Sequence, residues 1–195
     1  MSRAPEYNRD EVIHKAMQVF WARGYGRTSV TDLVTATGLK PGSLYAAFGN
    51  KQGLFVAALE HYGKRFKKRI QQLAETDRSA LGVIRTLLIT IADEALQTGH
   101  QRGCLAVNSL LELASHEPDI ARHLEAHNEE MLQVITRLVE QAQAQGDIRA
   151  ERNARALSAF LLNNIWGMQV MCKSRPNRAA MAAIIDGILV SLTAT

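Results

Sequence analysis

Helical periodicity runs through almost the whole of the 195-residue sequence, and no stretch of alternating polar and apolar residues competes with it. The first clear stripe places Ile13, Ala16, Met17 and Phe20 at positions i, i+3, i+4 and i+7, which is one buried face of a helix. Similar stripes recur along the chain as far as Leu192. The sequence therefore predicts an all-α fold of about nine helices.

Basic residues are concentrated at the N-terminal end of the chain. Residues 1–70 hold 12 Lys and Arg against 5 Asp and Glu, a net charge of +7, whereas residues 71–195 hold 11 against 14, a net charge of −3. A basic head on an acidic body is the charge pattern of a protein that binds a polyanion. The asymmetry favours nucleic acid as a partner, and a basic face that is merely solvated remains the alternative.

Composition disfavours several classes of protein. No window approaches the roughly 18 uninterrupted apolar residues of a membrane span, and residues 1–10 lack the apolar stretch of a secretory signal, so a cytoplasmic protein is expected. Two cysteines without a CxxC motif give no basis for a disulfide scaffold or a zinc finger. His123 and His127 are spaced i, i+4, but they lack an HExxH motif, so a solvated helix face is preferred. No metal and no cofactor are predicted.

Two short helices are predicted on either side of a tight turn that contains Gly38. The first runs over 31–37, where Ser29 can act as cap, and the second runs over 41–48, where proline suits the first turn. These lengths and this spacing are typical of a helix-turn-helix, whose second helix enters the DNA major groove. Periodicity alone leaves an ordinary three-helix bundle as an alternative.

The residues of this segment resemble the N-terminal signature of the TetR family in their order and spacing. The positions that carry the resemblance are Gly24, Tyr25, Thr28, Ser29, Val30, the run 38–45, Phe48, Asn50, Lys51, Leu54 and Phe55. The resemblance implies a helix-turn-helix DNA-binding domain at 1–50. It also implies a larger helical ligand-binding and dimerisation domain at 51–195, which begins with a connector helix at 51–76.

The resemblance further implies a transcriptional regulator rather than an enzyme. Its partners would be a palindromic double-stranded DNA operator, a second copy of the chain and a small-molecule inducer of unknown identity. The family favours a repressor that a small molecule or a thiol-reactive electrophile releases from its operator, and the sign of regulation stays open.

The same resemblance assigns contacts to the DNA backbone. Tyr45 resembles a tyrosine whose hydroxyl contacts a phosphate, and Gly42 resembles a glycine that allows the recognition helix to approach the backbone closely. Lys51 matches a lysine at the start of the connector helix, where its charge and the helix N–H groups favour phosphate. Thr28 and Ser29 match hydroxyl residues that reach phosphate at the start of the preceding helix.

Base reading is expected from the outward positions of the recognition helix. Lys40 can pair with guanine acceptors and Ala46 can touch a thymine methyl group. Many family members carry a capping hydroxyl residue at the first of these positions and a larger side chain at the second, so the operator sequence stays open. The full predicted DNA-binding set is Thr28, Ser29, Lys40, Pro41, Gly42, Ser43, Tyr45, Ala46 and Lys51.

The last two predicted helices, at 153–173 and 177–192, are apolar over more than one face. A helix that is hydrophobic on two sides needs two neighbours, and one of them can be a partner subunit. The resemblance likewise implies a homodimer formed by these helices, with a central core helix as the alternative. The predicted interface residues are Leu161, Ile165, Ile184 and Ile188.

The stretch 103–108 resembles a sub-group of these regulators in which a cysteine senses electrophiles or oxidants. Cys104 falls at a predicted helix N-terminus beside Arg102 and near His100, an environment that favours the reactive thiolate. A buried packing cysteine is one alternative. A small enzyme that uses Cys104 as its nucleophile is another, although no flanking motif supports it. The predicted ligand or redox-sensing set is Cys104, Asn108, Asn164, Trp166, Met168 and Cys172.

Overall fold

Nine α-helices and no strand make up the regular structure of the residues that the computed structural model describes, which are 7–97, 102–174 and 176–194. The all-α prediction is confirmed. Within the same residues, no helix is both long enough and apolar enough to cross a membrane. The helices are α1 (Arg9–Arg23), α2 (Val30–Thr37), α3 (Pro41–Phe48), α4 (Lys51–Thr76), α5 (Ala80–Leu96), α6 (Leu105–Leu113), α7 (Pro118–Ala144), α8 (Ala154–Met171) and α9 (Arg178–Thr193).

Polar side chains just before several helices bind the first free backbone N–H groups. Ser29 is the clearest case, since its hydroxyl accepts a hydrogen bond from the Asp32 N–H at 3.1 Å. The Asp32 carboxylate accepts in return from the Ser29 N–H at 2.9 Å, which completes a capping box. The predicted cap at Ser29 is thereby confirmed, and α2 begins one residue before the predicted start. Side-chain caps of other helices are supplied by Asn8, Ser79, Asn153 and Asn177.

The chain divides into two compact units, the first of which comprises the described residues up to Lys64 together with Asn108–His127. In this unit α1 packs on α2, and α2 packs on α3. The rings of Phe20 and Phe55 meet edge to face, with centroids 5.3 Å apart. The three N-terminal helices therefore share one core. Its most buried side chains include Val12, Ile13, Ala16, Met17, Phe20, Leu33, Leu44, Leu54 and Phe55.

The second unit comprises the described residues of Arg65–Val107 and Asn128–Thr195. Its central helix is α5, because eight of its 17 residues are buried and it packs against both α8 and α9. A single 3₁₀ turn, Cys172–Ser174, follows α8 and also contacts α5. The C-terminal helices are thus organised around α5.

Three of the four side chains predicted at a dimer interface lie inside the core of the second unit. Leu161, Ile165 and Ile188 are at most 2% exposed, whereas Ile184 is partly buried against the same core. The prediction was wrong for the first three, because it chose the most hydrophobic side of each helix and that side packs on α5. The outward sides of α8 and α9 carry Phe160, Val170 and Val190, which are 40%, 46% and 66% exposed.

The two histidines spaced i, i+4 on α7 have different surroundings. His123 is exposed as predicted, but His127 is only 8% exposed and its ring centroid lies 6.3 Å from that of Tyr62. The expectation of a solvated helix face is therefore wrong for His127. Among the described residues, no three His, Cys, Asp or Glu side chains form a group able to hold a metal ion.

Candidate nucleic-acid interface

A tight turn joins α2 to α3 and is set by its glycine. Gly38 ends α2 in the left-handed conformation with φ +74°, and its N–H donates to the Val34 carbonyl at 2.9 Å. α3 then begins at Pro41, whose missing N–H costs nothing in the first turn of a helix. The bounds of α3 agree with those predicted from the sequence.

The short helix α3 has one buried side and one exposed side. Leu44 and Phe48 are 2% and 9% exposed and hold the helix against the rest of the first unit. The opposite side is exposed along its length, and the aromatic ring on it, Tyr45, is 38% exposed. The structure brings together on this side six predicted DNA-binding residues: Lys40, Pro41, Gly42, Ser43, Tyr45 and Ala46.

Lys40 occupies the N-cap position of α3, where a hydroxyl side chain would normally bind the free N–H groups. The lysine makes no side-chain hydrogen bond to the helix and is exposed. Its ammonium group is therefore available to a ligand at the start of α3.

Thr28 is not part of the exposed surface. It is 1% exposed, and its hydroxyl donates to the Gly24 carbonyl at 2.6 Å. The predicted phosphate contact from Thr28 would require the hydroxyl to leave this carbonyl, because the side chain closes the turn between α1 and α2. Ser29 is exposed, but its hydroxyl donates to the Asp32 carboxylate at 2.7 Å. Hydrogen bonds from Ser29, aided by the charge of Arg23, lower the pKa of Asp32.

Lys51, predicted to contact phosphate, packs its ammonium group against an aromatic ring. The Lys51 Nζ atom lies 4.3 Å from the ring centroid of Tyr25, in a cation–π contact. Burial lowers the pKa of Lys51, while the charges of Glu112 and Glu117 act in the opposite direction. A phosphate would have to compete with these partners for the ammonium group.

Two features near α3 were not predicted from the sequence. A Cβ atom on Gly53 would lie 2.1 Å from the Phe48 carbonyl oxygen, so only glycine allows α4 to begin so close to the end of α3. The guanidinium of Arg9 lies 4.9 Å from the ring centroid of Phe48. Gly53, in the first turn of a predicted helix, was a sequence signal for the close approach of α4 to the end of α3. No local pattern indicated the contact between Arg9 and Phe48.

The candidate sensing cysteine lies directly before a helix, as expected. Cys104 immediately precedes α6 and is 4% exposed, and both cysteines of the chain are reduced and buried. Arg102 is exposed beside it, and His100 lies outside the described residues. Asn108 is half-buried on α6. The helix-start position agrees with the sensing hypothesis, and the burial agrees with the packing alternative.

The predicted sensing residues on α8 and just after it are mostly engaged within their own unit. The Asn164 amide donates to the Phe160 carbonyl at 2.8 Å, and Trp166 is half-buried. Met168 and Cys172 are 1% and 3% exposed members of the core around α5. Burial raises the pKa of the Cys172 thiol, against the Gly103 N–H and the Lys173 charge, which lower it. Cys172 thus packs within this core, where burial disfavours its thiolate.

Two surface cavities are present in the described residues. One of about 480 Å³ lies between α1 and α2 and is lined by His14, Lys15, Gln18, Val19, Ala22, Arg23, Asp32, Thr35 and Ala36. The other, of about 410 Å³, lies at the start of α8 and is lined by Arg152, Asn153, Ala156, Leu157, Phe160 and Ser191. Neither of these two cavities is lined by a predicted sensing residue.

Two family models match the chain and together cover most of it. The model described as "Bacterial regulatory proteins, tetR family" matches residues 12–58. The model described as "Tetracyclin repressor-like, C-terminal domain" matches residues 80–188. The first match spans most of α1, all of α2 and α3, and the first part of α4, and the second spans α5 to α8 and part of α9.

Curated relatives match over nearly the full length. The HTH-type transcriptional repressor ComR of Escherichia coli (strain K12) is 34% identical over 172 residues, which are 88% of this chain and 82% of ComR. The uncharacterized HTH-type transcriptional regulator YezE of Bacillus subtilis (strain 168) is 26% identical, over 99% of this chain and 98% of YezE.

Solved structures are similar to both units of the chain. A cysteine mutant of the TetR family transcriptional regulator CifR, complexed with 26 bp double-strand operator DNA, is 30% identical with a TM-score of 0.82 and covers 96% of this chain and 98% of its own. The reduced form of E. coli NemR is 16% identical with a TM-score of 0.81, over 92% of this chain and 94% of its own, and shows the fold alone.

Proposed function

The chain belongs to the tetR family of bacterial regulatory proteins and is a transcriptional regulator, and from this we propose a homodimeric repressor that docks α3 in the major groove of a palindromic operator. The observation that carries the proposal is the exposed side of α3, where Lys40 stands beside small residues and Tyr45. Such a surface can approach duplex DNA closely. Repression is favoured because the similar ComR is named a repressor.

Each exposed residue of α3 has a role in this proposal. The Tyr45 hydroxyl binds a phosphate and positions the helix, and Gly42 lets the DNA backbone come near. Lys40 donates to guanine acceptors, Ser43 to a base edge, and the Ala46 methyl group contacts a thymine methyl. Two such helices in a dimer would read half-sites about 34–36 Å apart. The similar CifR is complexed with operator DNA, which supports this docking mode. Binding to an operator would in turn place the protein in the cytoplasm.

We propose that the dimer forms through the outward sides of α8 and α9. Phe160, Val170 and Val190 are exposed there, and a Cβ atom placed on Gly167 or Gly187 would meet nothing within 4 Å. Exposed apolar side chains separated by small residues allow two helices of a partner to pack closely. The partner is a second copy of this chain. The proposed interface residues lie on the exposed side of each helix, whereas most of those predicted from the sequence lie on the buried side.

The salt dependence of operator affinity tests the DNA-binding proposal. It also tests whether Lys40 and Lys51 contribute differently to DNA binding. Wild-type affinity for an operator duplex should fall steeply with salt, with a slope of about 0.9 in log–log form for each phosphate neutralised. Lys40→Met should also reduce the slope, because a cation that enters the groove displaces counterions from the duplex even when its hydrogen bonds go to a base edge. Lys51→Met should change the slope much less, because the Lys51 ammonium already lies against the Tyr25 ring, where the charges of Glu112 and Glu117 act on it.

The slopes are measured by fluorescence anisotropy on a duplex that the wild-type protein selects from a random-sequence library. If Lys51→Met reduces the slope as much as Lys40→Met does, Lys51 leaves the Tyr25 ring when DNA binds and the sequence-based role is restored. A wild-type slope near zero would contradict DNA binding through phosphate contacts altogether.

We propose further that residues 1–50 bind DNA, that residues 51–195 receive the releasing signal, and that Cys104 receives it from thiol-reactive electrophiles. Its position directly before α6 supports this, since N–H groups at a helix start favour a thiolate. Cys172 is the natural internal comparison, because burial raises the pKa of its thiol and so disfavours the thiolate. Both family matches are to regulatory proteins, which does not favour the alternative of a cysteine-dependent enzyme.

N-ethylmaleimide treatment tests the role of Cys104. The reagent should release the wild-type protein and the Cys172→Ser variant from the selected duplex to a similar extent. Cys104→Ser should bind the duplex normally and lose most of the response, because no reactive thiolate remains. Undiminished release of Cys104→Ser would sink the sensing proposal and leave Cys104 as a packing residue. Anisotropy measures release, and mass spectrometry identifies the labelled cysteine.

A further inference from the structure

The carboxylate of Glu112, in the last turn of α6, is held by the turn between α1 and α2. Its Oε2 atom accepts a hydrogen bond from the Tyr25 N–H at 3.0 Å, and its Oε1 atom accepts from the Gly26 N–H at 2.7 Å. These partners lie 86 and 87 residues away in the sequence. Hydrogen bonds to an ionised acceptor are shorter and stronger than neutral ones, so both oxygens bind α6 to the turn.

The turn leaves room for this carboxylate by means of its two glycines. A Cβ atom on Gly24 would lie 2.7 Å from Oε2 of Glu112, and one on Gly26 would lie 3.0 Å from Oε1. Gly24 also has φ +83°, a conformation that side chains disfavour. The glycines that end α1 therefore serve a second purpose, which is the close approach of Glu112.

The start of α4 joins the same contact. The Lys51 ammonium lies against the ring of Tyr25, and the Glu112 and Glu117 charges act on it. Tyr25, Gly26, Lys51 and Glu112 form what we term the Glu112 clasp. Glu117 acts on this clasp through charge, whereas Glu112 also supplies the two hydrogen bonds.

The turn in the clasp leads directly into the helix-turn-helix. Thr28 bonds back to the Gly24 carbonyl, and Ser29 caps α2, which packs on α3. A fixed turn therefore fixes the start of α2 relative to α1. If the turn were loose, DNA binding would have to order it, and the ordering would reduce the affinity.

We propose that Glu112 is a positioning residue for operator binding, which holds the α1–α2 turn so that the helix-turn-helix is already in its DNA-binding arrangement. Glu112 itself contacts no DNA in this role. The inference rests on the proposed function, since it requires that α3 bind an operator.

Charge alone predicts that a change at Glu112 strengthens DNA binding, whereas the positioning role predicts that it weakens DNA binding. Removing a carboxylate from a unit that binds a polyanion should raise its affinity for DNA. Glu112→Gln removes the charge and one of the two hydrogen bonds, because its amide N–H₂ would face a backbone N–H. Glu112→Asp keeps the charge but is one methylene too short to reach both N–H groups. Glu117→Gln removes the nearby charge without touching the clasp.

The three variants are compared with the wild-type protein by fluorescence anisotropy on the duplex selected by the wild-type protein. Both Glu112 variants should bind about 10-fold more weakly, because a charge-assisted hydrogen bond is lost. Glu117→Gln should bind as tightly as wild type or more tightly. Hydrogen exchange of the Tyr25 and Gly26 amides should be faster in both Glu112 variants and unchanged in Glu117→Gln.

Two outcomes would overturn the inference, and they are distinguishable. If the wild-type protein selects no duplex, the proposed function fails and the positioning role fails with it. If the wild-type protein binds and both Glu112 variants bind at least as tightly, only the positioning role is overturned. Thermal unfolding accompanies each assay, and Glu112→Asp decides the matter if Glu112→Gln proves unstable.

Discussion

The Gly42→Asp variant should lose operator binding by more than about 100-fold while its fold stays intact. A like charge set against the DNA phosphates costs several kcal/mol, which corresponds to at least two powers of ten in affinity. The fold tolerates the change, because a Cβ atom on Gly42 meets nothing within 4 Å. An acidic residue in the first turn of α3 is favoured by the helix dipole, by roughly 0.3–1 kcal/mol. Binding and stability should therefore change in opposite directions.

Anisotropy on the selected duplex measures the loss, and thermal unfolding measures stability. Ala150→Asp is the matched control, since it adds the same charge at an exposed turn residue of the second unit and should bind almost normally. Gly42→Ala separates bulk from charge and should bind more weakly than wild type but far better than Gly42→Asp. Operator binding by Gly42→Asp within a few-fold of wild type would mean that α3 does not face the DNA.

The helix-turn-helix could be predicted closely from the sequence because short-range chemistry defines it. Ser29 and Asp32 cap each other, Gly38 ends α2 in a left-handed conformation, and Pro41 begins α3. Each of these signals acts within a few residues of where it is read. The bounds of α3 and its buried pair, Leu44 and Phe48, follow from them without knowledge of any distant contact.

Contacts that leave no periodic pattern in the sequence account for the features of the candidate site that were not predicted, and two of the three are long-range. Thr28 reads as a surface hydroxyl, yet its bond to the Gly24 carbonyl buries it in the turn. Lys51 reads as a free cation, yet the structure places it on the Tyr25 ring. Nothing in the sequence distinguishes Glu112 from other acidic residues, because its two hydrogen-bond donors lie 86 and 87 residues away along the chain. No periodic pattern carries information about such pairs.

The C-terminal helices show a different difficulty, which is that a core and an interface are both apolar. Leu161 and Phe160 are adjacent on α8 and both fit the apolar stripe of the helix, so periodicity does not show which of them faces the core. Only the packing on α5 shows that Leu161 is fully buried within its own unit while Phe160 is 40% exposed. The predicted boundary at residue 50, between a DNA-binding and a ligand-binding domain, was placed at the end of the helix-turn-helix motif. It remains a prediction about function.

Val190→Glu, on the outward side of α9, should convert the dimer to monomers at micromolar concentration. Val190 is 66% exposed in the single chain, so a carboxylate there leaves the monomer folded. In a dimer the same carboxylate would be buried against apolar side chains without a partner, at a cost of several kcal/mol. Sedimentation velocity measures the oligomeric state.

Two comparison variants show which side of the helices the interface uses. Ile89→Glu places the same charge on α5 at a residue that is 44% exposed, and it should remain dimeric. Leu161→Ala should lower the free energy of unfolding by about 2–5 kcal/mol, because it opens a cavity in the core, without separating folded dimers. The opposite pattern, a dimeric Val190→Glu and a monomeric Leu161→Ala, would restore the interface first read from the sequence.

Operator binding should follow the oligomeric state in the same variants. A palindromic site is bound tightly because the second head binds at a high effective concentration once the first is in place. Val190→Glu monomers keep an intact α3 but lose this advantage, so their affinity for the full site should fall to about that for a half-site. Equal affinity of Val190→Glu and wild type for the full site would show that one head is sufficient, and the dimer would then have no role in DNA recognition.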